Sequence, residues 1–140
     1  MSWDLTDDTL LAQLQAYLDT IAADPDWHVN LYANDYEPAP GSTIGDYTPA
    51  SFAGYLEADF SPGDFSVAAI TGSHVAETTV PAVAFTRLVS ASGLTTVYGY
   101  YVTDNTNTYR WGERFADPIE IEPGGSVSVS VRLLHTVRAA

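Results

Sequence analysis

The chain has 140 residues, 46% of them hydrophobic, and sets 18 acidic side chains against five arginines and no lysine, a formal charge of −13. Such a surface repels phosphate backbones, so direct nucleic-acid binding is not expected. Without cysteine there is neither a disulfide framework nor a thiolate metal site, and no apolar run approaches the ~18–20 residues of a membrane span. Asp4, Asp7 and Asp8 stand where a Sec-type leader has its basic flank, so none is expected. The length suits one domain near the common size of ~100–150 residues.

Residues 6–22 predict the one helix. Thr6 can cap it, and Asp7 and Asp8 meet the positive end of its dipole. Leu10, Leu11, Leu14, Tyr17, Leu18 and Ile21 form one apolar stripe. That stripe must be covered, either by the chain's own sheets or by a neighbouring subunit. Residues 27–33 (WHVNLYA) read as a strand, with Trp27, Val29 and Leu31 on one face and His28, Asn30 and Tyr32 on the other. The Pro- and Gly-rich stretch 34–50 is a long irregular connection of a length often tied to function or assembly.

Residues 51–58 resume strand-like patterning, 61–64 turn, and 65–70 form a short strand; 71–80 are polar and ambiguous. Residues 80–89 are a strand with Pro81 near its start, where a missing donor is tolerable. Residues 90–93 turn into the best-patterned stretch of the chain. Within it Thr96, Tyr98, Tyr100 and Val102 alternate with Val97, Gly99, Tyr101 and Thr103. The cluster 104–107 (DNTN) supplies a hairpin turn into 108–114. After Asp117-Pro118, Ile119 and Ile121 oppose Glu120 and Glu122, and Pro123-Gly124-Gly125 turns again. Val127, Val129, Val131 and Leu133 then share one face of the last strand. This spacing predicts a mainly β chain: an antiparallel β-sandwich, jelly-roll or Ig-like, spanning 27–140 with an N-terminal helical extension at 1–26.

Catalytic vocabulary is sparse. His28, His74 and His135 form no H-x-x-x-H or H-x-H pair, so no local metal signature exists. Ser73 precedes His74, but alternation along a strand would send the two side chains to opposite faces, and no G-x-S-x-G elbow is present. The pairs Asp24/Asp26, Asp59/Asp64 and Glu120/Glu122 read as solvated carboxylates. The oxygen-rich loops 24–26 and 34–37 lack the spacing of an EF-hand. No catalytic residue, metal ligand or cofactor is therefore assigned. Tyr98, Tyr100, Tyr101, Tyr109 and Trp111 form a cross-strand aromatic cluster suited to sheet stabilisation, a protein interface or sugar stacking.

The order NLYANDY (30–36), Pro38, TPASF (48–52) and Gly54-Tyr55 resembles that of small tailed-phage structural proteins. So does VYGYYV (97–102) with Trp111, Glu113-Arg114-Phe115, Pro118 and a glycine before the last Val-rich strand. The resemblance spans about residues 28–134 and leaves the helix less well matched. It implies a non-enzymatic virion component, most simply a capsid decoration protein. The expected partners are other capsid or tail proteins and further copies of itself, in trimers by preference. The side chains expected at such interfaces are Leu11, Leu14 and Leu18 on the helix, Tyr36 and Tyr47 in the loop, and Tyr98, Tyr100 and Trp111 on the hairpin. A carbohydrate- or receptor-binding module of a tail fibre or cell surface is the alternative, and a small hydrolase using the histidines a third reading.

Overall fold

In the computed structural model, which describes residues 6–21, 27–60, 65, 69–72, 75–88 and 95–136, Thr6 caps the helix as its position suggests: Thr9 N donates to Thr6 Oγ1 at 3.2 Å. Helix α1 (Asp7–Ile21) buries Leu10, Leu14 and Leu18, with Leu11 packed beside them. Each buried leucine contributes on the order of 2 kcal/mol of apolar transfer. Tyr17, expected in the same stripe, stays exposed.

The strands are β1 (Trp27–Tyr32), β2 (Ala58–Phe60), β3 (Ala69–Gly72), β4 (Val75–Thr86), β5 (Thr95–Thr103), β6 (Tyr109–Ile121) and β7 (Ser126–Thr136). Among the described residues they form two antiparallel sheets, ordered β2-β1-β5-β6 and β3-β4-β7. The chain is thus mainly β, a sandwich with one N-terminal helix, as its patterning predicts. Trp27, Val29, Leu31, Tyr100 and Val102 of the first sheet share one core with Val80, Phe85, Val127, Val129 and Val131 of the second. The helix leucines belong to that same core, and α1 packs on the three-stranded sheet.

Several local readings change. Residues 51–57 are not a strand. Gly54 adopts φ 86°, Tyr55 N bonds Phe52 O at 2.9 Å, and the rings of Phe52 and Tyr55 meet edge to face. The ambiguous 71–80 segment mostly belongs to β3 and β4, and the strand expected at 80–89 is the second half of β4. Its register shifts between Val80 and Val83, where Pro81 cannot donate to the ladder.

Asp117-Pro118 does not end a strand, because β6 runs through it along the sheet edge. Opposite it the register jumps from Val97↔Ile119 to Gly99↔Arg114. That irregularity also resets β5. Val97 and Tyr100, three apart, both reach the main core, whereas Tyr98 and Tyr101 both reach the outer face. The uninterrupted alternation expected for β5 therefore fails at Gly99. The turns expected at 61–64 and 90–93 lie outside the described residues, as do His74 and the loop 24–26.

Candidate functional site

The outer face of the four-stranded sheet carries a second, smaller core. Tyr32 of β1, Tyr101 of β5 and Tyr47 of the long connection are buried together, with Tyr36, Tyr98 and Tyr109 packed around them. Tyr47 stacks on Tyr101 at 4.9 Å, meets Tyr32 and Tyr36 edge-on at 5.0 and 5.1 Å, and shares a 2.6 Å hydrogen bond with Tyr109. Two glycines make the hollows for these rings. A Cβ at Gly99 would lie 2.5 Å from Tyr32 Oη, and one at Gly112 would lie 3.0 Å from Tyr47 Cζ with its hydroxyl nearer still. The glycine of the YGYY run is thus a packing requirement.

The connection 33–50 is fastened at several points. Asn34 Nδ2 donates to Asp46 O at 2.9 Å, and Thr48 N donates to Asn34 Oδ1 at 2.8 Å. Asp35 pairs with Arg114 of β6. The oxygens of the oxygen-rich loop 34–37 are therefore partly engaged in holding the connection. Burial pushes the Tyr32 hydroxyl up to about 12. Burial, and then the bond to Tyr109, raises Tyr47 further.

At the hairpin tip Asp104, only 3% exposed, accepts from Thr106 N and Oγ1 and from Thr108 N at 2.7–3.0 Å, and from Arg110 Nε and Nη2 at 3.1 and 2.7 Å. Burial alone would raise its pKa. The hydrogen bonds from Thr106, Thr108 and Arg110 outweigh burial and hold the carboxyl well below the usual range. Asn107 takes φ 61° to close the turn, a conformation asparagine tolerates.

A third cluster joins the sheets. Arg132 N of β7 donates to Tyr100 Oη at 2.9 Å, Tyr100 Oη donates to Glu113 at 3.1 Å, and Arg132 Nη2 reaches Glu113 at 2.6 Å. Beside it runs a groove of about 640 Å³ lined by Phe115, Ile119, Val129, Glu113 and Arg132. A smaller groove of about 360 Å³ lies between residues 38–40 and 109–112, with Tyr109, Arg110 and Trp111 on its wall.

On the outer face, at the β1–β2 edge, His28 Nδ1 lies 2.6 Å from Asp59 Oδ1 and 3.5 Å from Glu57 Oε1. Asn30 Nδ2 holds Glu57 Oε2 at 3.2 Å, Tyr55 Oη donates to Asn30 Oδ1 at 3.0 Å, and Leu31 N donates to Tyr55 Oη at 3.0 Å. No local motif marks this cluster, because its members lie about thirty residues apart and meet only through the pairing His28↔Asp59.

Of the side chains expected at interfaces, Leu14, Leu18, Tyr47 and Tyr100 are buried by this chain's own cores. Leu11, Tyr36, Tyr98 and Trp111 are half-buried, Trp111 lying 6.0 Å from Trp27. The hairpin aromatics do not form one cluster: Tyr98, Tyr101 and Tyr109 face out, and Tyr100 and Trp111 pack on the main core. The side chain of His135 lies outside the described residues. The large apolar side chains that the fold does leave exposed include Leu56 at 80% and Leu88 at 53%; Leu88 packs beside Gly54, two residues before Leu56. No family, curated protein or solved structure matches the chain. Among the described residues, no helix is long and apolar enough to cross a membrane.

Proposed function

We propose that the chain is a non-enzymatic virion protein of a tailed phage, decorating the capsid surface through protein–protein contacts. The observation that carries this reading is the exposure of Leu56 and Leu88 on a sandwich whose other described leucines are buried or half-buried. Glu57 follows Leu56 in the chain, and Glu122 stands two residues before Gly124, whose N–H donates to Leu88 O at 3.2 Å; both carboxylates are exposed. An apolar contact rimmed by carboxylates suits docking on a surface of complementary charge. Asp104, Arg114 and the Tyr100–Glu113–Arg132 cluster support it, since each ties one element to another. The resemblance across residues 28–134 points the same way, and symmetric particle sites favour a trimer.

Two measurements test this. Mass spectrometry of purified particles from the phage encoding the chain should find it in stoichiometric amount; its absence overturns the proposal. Light scattering across a concentration series should give a trimer or larger ring, or a monomer that binds particles and loses binding in Leu56→Asp.

A second reading rests on the groove beneath residues 38–40. Tyr109, Arg110 and Trp111 there offer an aromatic wall and a guanidinium, the elements of a sugar-stacking site. A glycan array with hits abolished by Trp111→Ala, in a variant that still folds, would favour a tail-fibre or cell-surface binding module over decoration.

A further inference from the structure

We propose that His28, Glu57 and Asp59 form a binding site for a first-row divalent cation of the Zn²⁺ type at the β1–β2 edge. One ligand atom from each residue lies within 4.8 Å of the others. Around one ion, with metal–ligand distances of about 2.0–2.2 Å, donor atoms stand roughly 3–4 Å apart. His28 Nδ1 and Glu57 Oε1 at 3.5 Å already meet that spacing. The 2.6 Å contact from His28 Nδ1 to Asp59 has to open by less than about 1 Å, and Asp59, mostly exposed, is free to turn.

The donor set selects the metal. Two carboxylates neutralise a divalent charge, and a neutral imidazole favours zinc-like ions over calcium or magnesium, which take oxygen. The support around the ligands also fits. The His28 side chain is mostly buried, at 18% exposure, and the Asn30–Tyr55–Leu31 chain orients Glu57 from the backbone of β1. Metal sites need such outer partners to fix their ligands. Three protein ligands leave the remaining positions to water, and the ion would pin the three-residue strand β2 to β1.

The test is calorimetric titration of chelator-treated protein with ZnCl₂, paired with thermal unfolding. Equimolar binding in the micromolar range is expected, with Tm raised by several degrees and no comparable effect of Ca²⁺. His28→Gln and Glu57→Gln should each weaken binding about tenfold or more. Glu57 is half exposed, so its variant keeps the test valid if His28→Gln fails to fold. Binding weaker than about 1 mM, or binding unchanged in either folded variant, overturns the site; the latter would assign the ion to the general acidic surface.

Discussion

Replacing Asp104 by alanine tests whether the hairpin tip is a principal fastening of the fold. The carboxylate accepts five hydrogen bonds, two of them from the backbone of Thr106 and Thr108. A hydrogen bond to a charged group contributes about 1.5–3 kcal/mol net. In the alanine variant the Arg110 guanidinium, partly exposed, and the Thr106 hydroxyl recover water, while the two backbone amides lose the acceptor that closes the turn. The expected loss is therefore about 3–4 kcal/mol. With an unfolding entropy of about 2.1 cal/mol/K per residue, a chain of 140 residues should lose roughly 10–13 °C in Tm.

Asp104→Asn keeps one acceptor for the backbone amides but turns an amide toward Arg110, and should lose about half as much. The pH dependence has a fixed sign. The folded pKa lies below the unfolded value of about 3.9, so the contribution is complete above that value and fades as pH falls through and below it. Urea unfolding at neutral pH and at successively lower pH measures both quantities. An alanine variant with an unchanged midpoint, or a difference from wild type that fails to shrink below about pH 4, would refute the reasoning.

Gly99→Ala and Gly112→Ala should each destabilise by about 2–3 kcal/mol, seen as a lower urea midpoint, because the new methyl meets the Glu113 carbonyl and Tyr32 at the first site and Tyr47 at the second. Leu14→Ala should cost about 2–5 kcal/mol in the same assay if the helix belongs to the core, and near zero if it is a detachable arm. In alkaline titration Tyr32, Tyr47, Tyr101 and Tyr109 of the outer face have folded pKa values raised by burial above the unfolded ~10, so their contribution holds below that value and is lost as pH rises through the folded value, about 12 for Tyr32. Their near-ultraviolet phenolate signal should therefore appear together with the loss of far-ultraviolet circular dichroism; ionisation of all nine tyrosines well before unfolding would contradict the packing.

What was legible in the sequence is what repeats at short range. The helix, its Thr6 cap, the β5–β6 hairpin and the Val-rich β7 follow from periodicity and turn chemistry. The bulges were not legible. A register shift at Gly99 moves Tyr100 to the main core and leaves Tyr98 and Tyr101 outside, and only the partner strand decides this. The long connection reads as an irregular loop with Tyr36 and Tyr47 as interface side chains, because the seat of Tyr47 depends on a hollow at Gly112 far along the chain. The cation cluster is the extreme case. Period-two spacing places His28 and Asn30 on one face of β1, but only the antiparallel pairing with β2 brings Glu57 and Asp59 alongside.

The fastening of the 33–50 connection has a practical consequence. Its two ends are anchored by Tyr36 and Tyr47, and Ser42 braces the stretch between them through Tyr36 Oη at 2.6 Å and Ala39 N at 2.8 Å. The crown at residues 39–41 is exposed and carries no sheet hydrogen bond. Each doubling of a loop's length adds only about 0.6 kcal/mol of closure entropy. A peptide spliced into that crown would be presented outward while both anchors stay seated, which makes this crown a natural position for epitope display.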